Sequence, residues 1–364
     1  DRTSRGLGDV YKRQIMNRKM VILTEGHSNP RTAKTACSVI RYRPDEVVAV
    51  LDSTQAGKTT QEVLQVGGEL PFIRDLGEAD HADTLLVGIA PPGGKIPASW
   101  RAIVVNALTQ GMDVISGLHE FLGDDAEFAK VATQSGAKIW DVRKNDEKEI
   151  AQCKALDESC FRVLTVGNDC GVGKMVTAIE INAELKRQGV DAKFVATGQT
   201  GIMVEGDGCP IDCVVADFVS GAAERLILDR QHHDLLMIEG QGSLAHLAYS
   251  TVTLGLLHGT APHAMILGYE VGRHEMTSLN HRQIPALDEI LRAFEMMANL
   301  RHPSQVIGVS MNSRLLTQDE ATREKAYIEE RFGLPVCDVF RDGPEILANE
   351  VLRRYLKHRE TYPR

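Results

Sequence analysis

No apolar run in this sequence approaches the roughly 18 residues a membrane-spanning helix needs, so no membrane partner is expected. Aromatic residues are scarce, at 5%, which argues against a stacking surface for nucleic acid or carbohydrate. Basic residues are outnumbered: 41 Lys plus Arg against 50 Asp plus Glu leave a net charge of −9. A polyanion would meet mostly repulsion, so nucleic acid is not an expected partner. The seven cysteines are scattered without a C-x-x-C pair, the nearest spacing being Cys209 and Cys213 in CPIDC. That pattern reads as reduced thiols in a cytoplasmic protein, with no metal-ligand set expected. A G-x-G-x-x-G turn after the first strand is also missing, which weakens any reading as an NAD enzyme. The opening DRTSRGLGDVYKRQ carries charge but no apolar core of a leader. Residues 1–15 are expected to be a non-native leader, with Met16 or Met20 as the start.

What is present is an alternation of short β-rich runs with helical patterns. KMVILTEG, EVVAVLD, DTLLVG, MDVISG and AKIWDVR read as strands separated by helices, and FRVLTVG restarts the rhythm. Such alternation implies parallel βαβ units. The fold class expected is α/β in two domains. A Rossmann-like parallel sheet occupies 16–150, and a P-loop NTPase-like three-layer α/β/α domain occupies 151–364. The boundary falls in the charged segment RKNDEKEIAQCKALDES.

Two Gly-Lys loops compete for phosphate. AGKTT (56–60) carries a hydroxyl after its lysine, but Asp52 stands five positions before Gly57, where G-x-x-x-x-G-K-[ST] requires glycine. GNDCGVGKM (167–175) lies between an apolar strand and a helix, the context a phosphate loop needs. Asn168, Asp169, Cys170, Gly171, Val172, Gly173, Lys174 and Met175 are therefore the expected cofactor-binding residues. Met175 stands where the magnesium-ligating hydroxyl belongs, and a thioether does not ligate magnesium. Thr177 cannot replace it, since two residues along a helix is about 200° of rotation. Retained phosphate binding with impaired Mg-ATP chemistry suits a coenzyme whose phosphates are only a handle, such as coenzyme A.

GNDCGVGKM is similar to the phosphate loop of dethiobiotin synthetase, and MIEGQGS (237–243) resembles that class's strand-borne E-G-x-G segment. VIGVSMN resembles its strand leading to an adenine-reading asparagine, which implies Asn312 as a further cofactor residue. Three segments together resemble the DgcN-type D-glutamate N-acetyltransferase family, once filed as a domain of unknown function. They are GNDCGVGKMVTA, FVATGQTGIMVEGDGCPIDCVVADFVSGAAE and IEGQGSLAHLAYSTVTLGLLHGTAPHAMIL. The resemblance implies transfer of acetyl from acetyl-CoA to the α-amine of D-glutamate or a related amino acid. The alternative is a ligase or kinase of the dethiobiotin-synthetase type using ATP with Mg. A small amino-acid substrate and a homo-oligomer are expected.

Such a transfer needs a base, a carboxylate clamp and oxyanion donors. Glu239, at the end of an apolar strand, and His246 are the candidate bases, with Asp217 and His258 as further options. Arg225, Arg273 and Arg282 are the candidate clamps, since guanidinium pairs bidentately with carboxylate. Thr197 and Gln199, in TGQTG, are expected to bind substrate, and backbone N–H groups of TGQTG and GQGS to form the oxyanion hole.

Overall fold

MVIL, VVAVL and TLLV are short, uninterrupted apolar runs, the composition of strands covered on both faces. They form the centre of a parallel sheet in the computed structural model, which describes residues 18–279 and 281–361. The expected leader, with Met16, lies outside those residues. The first sheet contains β1 (Met20–Leu23), β2 (Val47–Leu51), β3 (Phe72–Ile73), β4 (Thr84–Val87), β5 (Asp113–Ser116) and β6 (Ile139–Asp141). Their order is β3-β2-β1-β4-β5-β6, the Rossmann arrangement with a switch point between β1 and β4.

The second sheet contains β7 (Phe161–Gly167), β8 (Ala192–Val195), β9 (Leu235–Ile238), β10 (Ala264–Glu270), β11 (Gln305–Asn312) and β12 (Val336–Cys337). Its order is β12-β11-β10-β7-β9-β8. All seven residues of β7 are buried, so helices cover both of its faces. Helices Lys174–Arg187 and Glu345–Thr361 pack Ile181, Leu185, Leu347 and Val351 against Phe161 and Val163. Each such aliphatic side chain stabilises the unit by about 1.5–3 kcal/mol relative to exposure. β7 pairs with β10 on one side and β9 on the other. The chain therefore reverses direction around β7, and a crevice opens at its carboxyl end.

The chain divides into two compact units. The chain up to Lys144 groups with Gln199–Cys213, and Asn145–Gly198 groups with Val214 onward. The segment after β8 begins a helix, Gln199–Glu205, whose Gln199 Nε2 donates to Thr35 Oγ1 at 2.9 Å. That is a contact of the first unit.

The first unit also explains the rejected Gly-Lys loop. Thr59 caps the short helix Thr60–Leu64 in a reciprocal capping box with Glu62, so its hydroxyl serves the backbone. Lys58 is exposed and donates to Gln55 Oε1 at 3.0 Å. Asp52 accepts from Ser28 Oγ and from the N–H and hydroxyl of Thr54, which closes the end of β2 rather than leaving an open ribose acid.

Candidate functional site

The loop after β7 is shaped by glycine at the point where the helix begins. Gly173 has φ 109° as N-cap of Lys174–Arg187, a left-handed conformation that side chains resist. The first helical turn leaves N–H groups without intrahelical partners, and the helix dipole adds positive potential there. Val172 is buried under the loop, its side chain against Gly167 and Gly268. Asn168 donates its N–H to the Gly268 carbonyl at 3.1 Å. Its backbone thus belongs to the sheet edge and not to the anion cradle.

Lys174 is buried, and its Nζ donates to the Asp169 carbonyl oxygen at 2.8 Å. Burial pushes its ammonium down to about 8, against the opposing pull of Cys170, Asp169 and Glu239. The stem of Lys174 crosses Gly240, where a Cβ would collide with the Thr165 carbonyl and crowd Lys174 Cδ. Glycine is required there because the chain leaving β9 runs against the β7 backbone at Thr165, with the lysine stem beside it. Met175 is half-buried at the hydroxyl position. Thr177 is buried and its hydroxyl pairs with Ser310 Oγ at 2.7 Å, which confirms that it turns away from the loop.

Asp169 ties this loop to the segment after β10. Its Oδ2 accepts from the Thr277 N–H at 2.9 Å, the Thr277 hydroxyl at 2.7 Å and Arg273 Nη1 at 3.1 Å. Burial alone would raise the Asp169 carboxyl, but the Thr277 donors hold it below the usual carboxylate range. Its Oδ1 is buried without a hydrogen-bond partner and faces His246 Nε2 at 3.8 Å.

Glu239 follows β9 and is 5% exposed. Its Oε2 accepts the N–H groups of Thr197 at 2.9 Å and Gly198 at 3.1 Å. The Thr197 hydroxyl donates to the Glu239 carbonyl at 2.7 Å and accepts from Gln241 Nε2 at 3.1 Å. These N–H groups, expected to form an oxyanion hole, are taken up by Glu239. The Gly240 N–H is likewise held by Thr165 Oγ1 at 3.0 Å. Thr197 sets the position of Glu239, and Gln199 lies in the other unit.

His246 is buried, with Nδ1 accepting the Ala248 N–H at 3.2 Å and Nε2 facing the Thr277 carbonyl at 2.9 Å. Nδ1 thus accepts and Nε2 donates, so both nitrogens are engaged. That leaves no lone pair to act as a base in this geometry, a correction to the sequence expectation. Asp217 is exposed in the turn Ala216–Phe218, and the described contacts do not join it to the loop cluster. His258 Nε2 lies 3.0 Å from the Met297 carbonyl.

The arginines also depart from expectation. Arg273 Nη1 donates to Asp169, the Cys170 carbonyl and Thr277, and Nη2 pairs with Glu270. It braces the loop and is not an open carboxylate clamp. Arg225 sits in the last turn of helix Val219–Leu228 and pairs with Glu147 at 2.6 Å. Arg282 is exposed.

Sequence reasoning missed Glu270, Thr277 and Arg314. Glu270 ends β10, is buried, and binds Arg314 Nη2 at 2.8 Å. A charge closing the apolar run AMILGY is the same signal that singled out Glu239. Arg314 follows Asn312 by two residues, and its N–H caps back onto Asn312 Oδ1 at 3.3 Å. Thr277 gives no sequence signal. A cavity of about 540 Å³ lined by Arg101, Val105, Asn106, Thr109 and Glu127 touches none of these residues.

The signature of a P-loop domain described as a domain of unknown function, DUF1611_C, matches residues 149–348. That of a Rossmann-like domain, DUF1611_N, matches residues 53–145. A Tritonibacter scottomollicae protein named D-glutamate N-acetyltransferase is 37% identical over 313 residues, covering 85% of this chain and 91% of that protein. A Pseudoalteromonas protein of the same name is 37% identical over 270 residues, covering 74% of this chain and 81% of its own length. The crystal structure of a DUF1611 family protein from Anabaena variabilis ATCC 29413 superposes with a TM-score of 0.88 at 35% identity. It covers 93% of this chain and 100% of that one.

Proposed function

This chain belongs to the DUF1611 family, and from that premise we propose that it is an amino-acid N-acetyltransferase. It takes acetyl from acetyl-CoA, and its acceptor is the α-amine of D-glutamate or a close relative, as the names of the two relatives indicate. The loop 169–175 holds the coenzyme's phosphates through backbone N–H groups, and Lys174 neutralises them. The observation that carries this reading is Lys174 buried at the head of its helix beside Met175, with the Thr177 hydroxyl committed to Ser310. Such a loop retains anion affinity without the hydroxyl that places magnesium for phosphoryl transfer. The ATP-dependent ligase reading requires that hydroxyl.

The length of the coenzyme constrains the chemistry. The pantetheine arm runs about twelve bonds from phosphate oxygen to thioester sulfur, roughly four extended residues or ~14 Å. An extended coenzyme gripped at Lys174 carries its acetyl group far from Glu239, which lies within electrostatic reach of Lys174. In this reading Glu239 holds the Thr197–Gly198 backbone near Lys174, and the amine base lies an arm's length away.

The test is thiol release from acetyl-CoA on addition of D-glutamate, without ATP and without added magnesium. Turnover under those conditions is the expected result. A strict requirement for ATP, with phosphate released in step with product, overturns the reading.

A further inference from the structure

Asp169 Oδ1 is a buried carboxylate oxygen with no hydrogen-bond partner, on a side chain that is 0% exposed. Its sister oxygen is held by three donors from Thr277 and Arg273, so the carboxylate cannot rotate to find a partner. A carboxylate oxygen of Asp169, Cys170 Sγ and a ring nitrogen of His246 all lie within 4.8 Å of one another. The Asp169 Oδ1 to His246 Nε2 separation is 3.8 Å. Ligands at zinc distances in a tetrahedron are ~3.5 Å apart, so the three atoms close in by about an ångström or less to share an ion.

We propose that Asp169, Cys170 and His246 bind one divalent cation of the zinc type. The donor set selects the ion: thiolate and imidazole suit borderline-soft metals, whereas magnesium and calcium take oxygen. The charges also balance, since one thiolate and one carboxylate neutralise a dication beside the buried Lys174. The Thr277 and Arg273 bonds to Oδ2 supply the outer shell that orients a ligating carboxylate. Three protein ligands leave a fourth position for water or substrate.

Loading has a defined proton balance. The Cys170 thiol gives its proton to solvent as the sulfur–metal bond forms. The His246 proton moves from Nε2 to Nδ1, which frees Nε2 for the metal and gives up both ring contacts, the Nε2–H bond to the Thr277 carbonyl and the Ala248 N–H bond to Nδ1. No oxidant or reductant is involved, and the site stands whether or not acetyl-CoA is the donor.

The full-length protein, stripped of metal and desalted, is titrated with Zn²⁺ against a chromophoric chelator and by calorimetry in two buffers of different ionisation enthalpy. One equivalent should bind, with about one proton released per ion. Cys170→Ser and His246→Gln should each weaken binding at least ~10-fold, and Cys213→Ser should bind like the parent. Cobalt in place of zinc should give a thiolate charge-transfer band that Cys170→Ser abolishes. Because Asp169 braces the loop and its variants can misfold, Cys170→Ser with an unchanged melting temperature carries the test. Absence of stoichiometric binding, binding unaffected by Cys170→Ser, or a charge-transfer band that survives it overturns the proposal.

Discussion

Lys174 keeps its ammonium inside the protein, next to its own loop carbonyl and under the opposing fields of Cys170, Asp169 and Glu239. Burial lowers it from 10.5 to about 8, so the unfolded chain retains this proton over a range where the folded chain has lost it. From this group alone, ligand-free stability rises as pH climbs from the folded value toward the unfolded one. Ligand affinity runs the other way, because anion binding needs the charge. The affinity for acetyl-CoA should be flat below the folded pKa and fall by up to ~10-fold per pH unit above it. Calorimetric titrations across that range check this, and an affinity that stays level contradicts it. Glu239 makes the complementary case. Glu239→Gln weakens acceptance of the Thr197 and Gly198 N–H groups, so the coenzyme KM should rise while the acidic limb of the kcat profile persists. Loss of that limb would identify Glu239 as the base and remove the diphosphate from Lys174.

At the scale of elements, strand and helix alternation carried most of the architecture because each strand is a short apolar run that nothing else in the chain mimics. β3 escaped, since Phe72–Ile73 is too short to show a period. The helix Gln199–Glu205 escaped for a different reason: its partner, Thr35, is 164 residues away, and local pattern does not encode distant packing. Side-chain commitments were hidden in the same manner. Arg273 looked like a free loop arginine until Asp169, 104 residues earlier, was placed against it. The two Gly-Lys loops show the contrast between local and tertiary reading most clearly. Thr59→Ala should cost about 1 kcal/mol of stability by removing a helix cap. The loss should be visible as a lower melting temperature, with acetyl-CoA affinity unchanged. A large loss of affinity in that variant would mean that 56–60 also contacts the coenzyme.

For the whole molecule, a net charge of −9 and the proposed coenzyme, with its several phosphates, are compatible only if positive potential is concentrated locally. The second unit does this with one buried lysine and the amino end of one helix, both placed at the switch point of its sheet by β7 lying between β9 and β10. The loop's local geometry was legible, because strand, glycines, lysine and helix are contiguous in sequence. The surrounding brace of Glu270, Thr277 and Arg314 was not, because it assembles only when three strand ends meet. The most direct test of the account is a calorimetric titration of Lys174→Met with acetyl-CoA near neutral pH, alongside the parent. Removing one charge-assisted contact of about 1.5–3 kcal/mol should weaken binding by roughly 10- to 150-fold while the melting temperature holds. An affinity equal to the parent's would contradict it, since the phosphates would then be held somewhere other than this loop.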